Sequence, residues 1–64
     1  MNKPIHFRGY GVNSVPVTIM HNAITYWYAI DYNGNTGTTI VLVGGKEIIV
    51  GHPEWEVSSM MEVE

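Results

Sequence analysis

The sequence predicts a mainly β fold, a small twisted antiparallel sheet or SH3-like barrel of about five strands with a short C-terminal helix. Three observations carry this. Residues 24–50 hold three apolar runs separated by glycine and asparagine turns. The longest of them, Ile24 to Tyr32, alternates with period two and is rich in aromatic and β-branched residues, as a half-buried strand does. Beyond Gly51-His52-Pro53 the pattern changes, and Val57, Met60 and Met61 fall on one i, i+3, i+4 stripe.

In chain order, Ile5 to Tyr10 is a short strand between Pro4 and the glycines Gly9 and Gly11. Gly11 to Ser14 is a loop. Val15 to Met20 is a second short strand, and Pro16 places it on a sheet edge or starts it later. His21-Asn22-Ala23 is a tight connection into the long strand. In that strand Ile24, Tyr26, Tyr28, Ile30 and Tyr32 are expected on one face, and Thr25, Trp27, Ala29 and Asp31 on the other. Asn33 to Gly37 reads as a hairpin loop longer than two residues, because glycine and asparagine tolerate positive φ. Thr38 to Val43 follows, then Gly44-Gly45 as a type I′ turn, then Lys46 to Val50. Residues 53–62 form a helix, with Pro53 suited to its first turn and Glu54 and Glu56 at the end where the helix dipole favours anions.

Sixty-four residues make one domain, 1–64, and a chain this short buries only about 60% of its unfolded surface. The usual staples are disulfides, a metal or self-association. There is no cysteine, which removes disulfides and thiolate metal sites and fits a reducing cytoplasm. Charged residues make up 14% of the chain, against about 25% in average domains. The run Ile40-Val41-Leu42-Val43 is apolar on both faces, where a sheet with one wet side would alternate. Together these point to a homo-oligomer, with Val41, Val43 and Trp55 as interface residues.

Net charge is −3, and Lys3, Arg8 and Lys46 are the permanent cations. That field excludes nonspecific binding of DNA or RNA, which needs many cations to displace counterions. It leaves room for a small anionic ligand held by one or two cations. No apolar run approaches a membrane span, and the opening MNKPIHFRGY lacks a signal-peptide core. The expected location is therefore the cytoplasm, the host's if a phage encodes the chain.

Catalysis has little support. Ser14, Ser58 and Ser59 lack a nucleophile-elbow context. Four of six acidic residues sit on the expected helix or just beyond it, where a solvated face explains them better than an acid–base pair. His6, His21 and His52 lie in separate segments without metal-ligand spacing. Gly44-Gly45-Lys46 lacks the following Ser or Thr of a phosphate loop and reads as a hairpin turn. The expectation is a non-enzyme with no cofactor and no metal. Consecutive Tyr26, Trp27 and Tyr28 are the stronger clue, since tyrosine and tryptophan are enriched at interfaces and on base-stacking platforms. A ligand site is accordingly expected from Tyr26, Trp27 and Tyr28, with Arg8 supplying a planar cation for phosphate and Lys46 a point charge.

Val17-Thr18-Ile19, His21-Asn22-Ala23-Ile24, Thr39 through Val50 with its Gly44-Gly45-Lys46 turn, and Pro53 through Val57 together resemble the FlbD-like small proteins. That family takes its name from a flagellar locus and is similar to many short phage and prophage proteins. The likeness covers about 45 residues. It implies a small β fold and a binding or regulatory role, and it transfers no functional residue. The N-terminal strand and Tyr26-Trp27-Tyr28 depart from the family's short core pattern. Three functions are compatible with these readings. One is an oligomeric sponge that sequesters a small anionic ligand, such as a cyclic nucleotide immune signal, at subunit interfaces. The others are a protein–protein regulator and a structural subunit of an assembly.

Overall fold

The computed structural model describes residues 3–12 and 14–62. Its elements are β1 (Pro4–Phe7), β2 (Val17–Met20), a 3-10 turn (His21–Ala23), β3 (Ile24–Tyr32), β4 (Asn35–Leu42), β5 (Glu47–Val50) and α1 (Glu54–Glu62). β1 and β2 pair antiparallel as one two-stranded sheet, and β3-β4-β5 form an antiparallel meander. The fold is mainly β, as expected, with two small sheets and no closed barrel. Among the described residues a single isolated bridge, Gly9 to Val50, joins the strand system of one sheet to the other.

The core lies between the sheets and the helix. Ile5, Phe7 and Ile19 from the small sheet meet Ile40 and Val50 from the meander and Val57 from α1. Trp27, Ile24, Leu42, Ile48, Met60 and Met61 pack around that centre, half-buried. Phe7, Ile40, Val50 and Val57 are closed off from solvent, and burying such side chains contributes about 1.5–3 kcal/mol each. The stripe Val57, Met60 and Met61 thus faces the core, as the helical spacing predicts.

The segment after β1 is stitched to the end of β5. Gly51 N–H donates to the Arg8 carbonyl at 2.9 Å. Arg8 N–H donates to His52 Nε2, also at 2.9 Å. A Cβ on Gly51 would lie 2.5 Å from the Gly9 carbonyl oxygen, so this crossing needs glycine. Thr38, fully buried, donates its hydroxyl to the His52 carbonyl at 2.7 Å and satisfies an otherwise stranded acceptor.

Several expectations are corrected. Asn33-Gly34 is a two-residue turn with both φ positive, 54° and 84°, which is the type I′ pattern. Tyr32 therefore pairs with Asn35, and β4 begins there rather than at Thr38. Gly37 is no turn residue. It lies within β4, where a Cβ would come 2.6 Å from the Tyr10 ring. The Gly44-Gly45 connection is not type I′ either. Gly45 N–H donates to the Leu42 carbonyl at 2.9 Å, so Val43 and Gly44 are the central residues, and of these two Gly44 has positive φ and Val43 does not. That is the type II sign pattern. β1 stops at Phe7 and β2 starts at Val17, after Pro16.

The face assignment of the long strand holds from Tyr26 to Tyr32 and is corrected at its start. The register runs Ile24 to Leu42 and then Tyr26 to Val41, so Thr25 is an extra, bulged residue. The bulge shifts the parity. Ile24 and Trp27 both pack toward the core, while Tyr26 and Tyr28 face outward. Finally, Val41 needs no second chain to cover it. It is 5% exposed, flanked across the strands by Tyr26 and Glu47.

Candidate functional site

The outer face of the meander is built by cross-strand register. Tyr26 stands opposite Val41, which stands opposite Glu47; Tyr28 stands opposite Thr39, which stands opposite Ile49. The two central residues, Val41 and Thr39, are buried beneath the flanking side chains. Tyr26 and Tyr28, 56% and 43% exposed, stack with ring centroids 6.4 Å apart and planes 27° apart. Ile49 continues the apolar surface on the far side. Tyr32 and Tyr10 close one end as an edge-to-face pair at 6.3 Å. Tyr10 Oη also donates to the Asn35 carbonyl at 2.7 Å, which fixes its ring over Gly37.

The five residues expected at a ligand site do not form one cluster. Tyr26 and Tyr28 come together on the outer face. Trp27 points inward, where its Nε1–H is shared between Glu54 Oε2 and Ser58 Oγ, each at 3.2 Å. Ser58 Oγ–H in turn donates to the same Glu54 oxygen at 2.6 Å. Trp27 is thus a clamp between β3 and the first turns of α1. Arg8 lies beyond the end of β5, 4.0 Å from Glu56 and 3.5 Å from the Gly51 carbonyl. Lys46 is exposed in the β4–β5 loop, next to Glu47 on the outer face. Of the expected interface residues, Val43 and Trp55 are 67% and 71% exposed, and Val41 is covered within the chain.

The three histidines serve the fold. His52 accepts from Arg8 N–H at Nε2, so its Nδ1 carries the proton, and Nδ1 lies 3.3 Å from Glu56 Oε2, off the angle of a formed hydrogen bond. Its ring meets Phe7 edge-on at 5.8 Å. His21 Nε2–H donates to the Met61 carbonyl at 3.1 Å, holding α1 against the 3-10 turn. His6 Nδ1 pairs with Thr18 Oγ1 at 2.9 Å across the small sheet. Among the described residues no group of three or more His, Asp or Glu is placed to hold a metal ion, and no helix is long and apolar enough to cross a membrane.

The open depressions are shallow. One of about 560 Å³ runs between the glycines Gly9, Gly11, Gly34 and Gly51 and the residues Tyr10 and Asn35. Another, of about 380 Å³, lies along Thr25, Tyr26, Trp27 and Glu54 at the margin of β3. The bulge at Thr25, which brings Ile24 onto the same face as Trp27, is the feature that sequence reasoning missed. At the bulge the Thr25 hydroxyl donates to the Val41 carbonyl at 2.8 Å. The chain matches no protein-family model, no curated protein and no solved structure.

Proposed function

We propose that the chain is a non-catalytic, self-associating binding protein whose working surface is the outer face of β3-β4-β5. The observation that supports this is the stacked, solvent-facing pair Tyr26 and Tyr28 beside Ile49. Side chains with flat apolar faces and polar tips suit interfaces and the faces of nucleobases. The ligand class in this reading is a small anionic molecule with a planar ring, such as a cyclic nucleotide immune signal, seated at a subunit interface. The tyrosines would stack the base and Lys46 would meet a phosphate. Trp27 has no part in it, and Arg8 is engaged with Glu56 and Gly51.

Calorimetry against a panel of cyclic and linear nucleotides, with native mass spectrometry of the free and loaded protein, tests the reading. Stacking contributes about 1–3 kcal/mol per base, so Tyr28→Ala should weaken binding about tenfold while Trp27→Phe leaves it unchanged. Absence of binding to any nucleotide at high micromolar concentration sinks the ligand.

A second reading draws on Trp55, 71% exposed on α1. It is a protein–protein regulator of the FlbD-like kind, with the tryptophan as the anchor for a host protein. Capture of one host protein that Trp55→Ala abolishes would favour it. Open-ended polymerisation would instead favour a structural subunit.

A further inference from the structure

We infer that the free edge of β3 pairs antiparallel with the same edge of a second copy, centred on Ala29, and so joins two meanders into one six-stranded sheet. This rests on the reading that the chain self-associates, and it names the element that does so.

The backbone hydrogen bonds single out that edge. A two-residue turn closes on a hydrogen-bonded pair, here Tyr32 with Asn35, and such pairs recur at every second residue. Ile30, Tyr28 and Tyr26 therefore bond inward to β4. The opposite side of β4 agrees, because Leu42 N–H reaches Lys46 on the β5 side and Val41 must then face β3. Trp27, Ala29 and Asp31 direct their N–H and C=O groups outward. Among the described residues no backbone group meets them.

Edges of this kind are normally blunted by lysine, proline, short length or a covering segment. β1 begins at Pro4 and is four residues long. β2 follows Pro16 and is equally short. β5 is met at its end by Gly9 and the Arg8 carbonyl. β3 is nine residues long and carries no lysine, arginine or proline. Its bulge lies at one end, which leaves Tyr26 to Tyr32 regular.

The strand is complementary to itself in one register. With Ala29 opposite the partner's Ala29, the small side chain sits at the two-fold axis. Trp27 then exchanges hydrogen bonds with the partner's Asp31, and reciprocally. On the outer face Tyr28 meets the partner's Ile30 and Tyr26 meets the partner's Tyr32, pairings of the aromatic and β-branched kind that favour sheets. Asp31 faces an indole-bearing residue rather than a second carboxylate, and its own side chain already accepts from Gly34 N–H at 3.0 Å. A two-fold at Asp31 would oppose like charges. A two-fold at Tyr28 would bring the bulged Thr25 into the ladder.

The area sets the strength. Tyr26, Tyr28 and Tyr32 are 56%, 43% and 55% exposed. At roughly 150–250 Å² for a whole aromatic side chain, they offer at most about 230–390 Å² per copy, of which edge pairing covers the flanks. With the strand edge added, this reaches the small class of specific interfaces, below about 1,200 Å² in total. The dimer should therefore dissociate on dilution rather than be obligate. Two copies of net charge −3 also repel each other, so added salt should tighten the dimer.

Amide NMR and sedimentation across a concentration series test the inference. Wild type should convert from monomer to dimer between low micromolar and millimolar concentration. The amides of Trp27, Ala29 and Asp31 should shift and gain exchange protection with concentration, while those of Tyr26, Tyr28 and Ile30 stay protected throughout. Ala29→Pro removes one outward donor, a placement tolerated on edges, and should leave a folded monomer. Should that variant unfold, Ala29→Lys keeps the donor, opposes two cations across the axis and should also be monomeric. If wild type is monomeric throughout, both this inference and the self-association reading fall. If it associates and Ala29→Lys associates equally, or the concentration-dependent amides lie elsewhere, the edge pairing alone is overturned.

Discussion

Replacing Trp27 with phenylalanine separates a structural tryptophan from a ligand platform. The indole N–H donates to Glu54 Oε2 and Ser58 Oγ at 3.2 Å each, and the ring packs half-buried against the core. A hydrogen bond to a charged group contributes about 1.5–3 kcal/mol, a neutral one about 0.5–1.5 kcal/mol. Here the donor is shared at long distance. Glu54 also keeps the 2.6 Å bond from Ser58 when the indole is gone, so no acceptor is stranded. The loss should fall at the top of the neutral range, about 1–1.5 kcal/mol. In a domain this small that lowers Tm by roughly 4–12 °C. The assay is thermal unfolding followed by circular dichroism at fixed protein concentration, since self-association shifts Tm by mass action. Glu54→Gln and the double variant complete a cycle, with an expected coupling of at least about 0.5 kcal/mol for groups in direct contact. Tyr26→Phe, on the exposed face, should stay within about 0.5 kcal/mol of wild type. Equal melting of Trp27→Phe and wild type, or zero coupling to Glu54, would refute the clamp.

Other substitutions probe the remaining joints. Thr38→Val keeps the shape but strands the His52 carbonyl, now bonded at 2.7 Å, and should cost about 1–3 kcal/mol in urea unfolding. Gly37→Ala drives a methyl to 2.6 Å from the Tyr10 ring and 2.8 Å from the Val50 carbonyl. It should destabilise, and Tyr10→Ala should restore only part of the loss, because the carbonyl is backbone and cannot swing away. Met61→Glu, on the packed stripe of α1, should lower Tm far more than Glu62→Ala on its exposed side. Equal shifts would mean that the helix is seated in a different phase.

What was legible in the sequence was the material each strand is made of. The alternation in Ile24 to Tyr32 gave that strand its bounds, and the Val57, Met60, Met61 spacing gave the helix its buried side. Less legible was anything decided by one residue's backbone. Asn33-Gly34 and Gly37 are similar as letters, yet one makes the turn and the other makes room for Tyr10. Thr25 carries no mark of a bulge, but its insertion reverses every later side chain relative to Ile24. The position of Arg8 was beyond reach for another reason. It is set by the crossing of Gly9 and Gly51, a contact between chain segments more than forty residues apart.

The bulge also explains how one strand serves several ends. Without it, Ile24 and Tyr26 would share a face, and burying Ile24 beside Leu42 would drive the tyrosines into the core. Burying Tyr26 and Tyr28 there would force their hydroxyls to find partners, and Trp27 would lie in solvent, away from Glu54 and Ser58. One extra residue resolves the conflict at the strand's start, where β3 leaves the 3-10 turn and the Thr25 hydroxyl can take up the Val41 carbonyl. From Tyr26 onward the strand then has an inner face that anchors the helix through Trp27, an outer face that displays stacked tyrosines, and a lateral edge whose outward hydrogen-bonding groups belong to Trp27, Ala29 and Asp31. Anchoring and display fall on alternate residues, so they can be varied independently. Edge and anchor meet at Trp27. A substitution that keeps its indole but blocks its outward N–H should therefore affect assembly without loosening α1, and one that removes the indole should do the reverse.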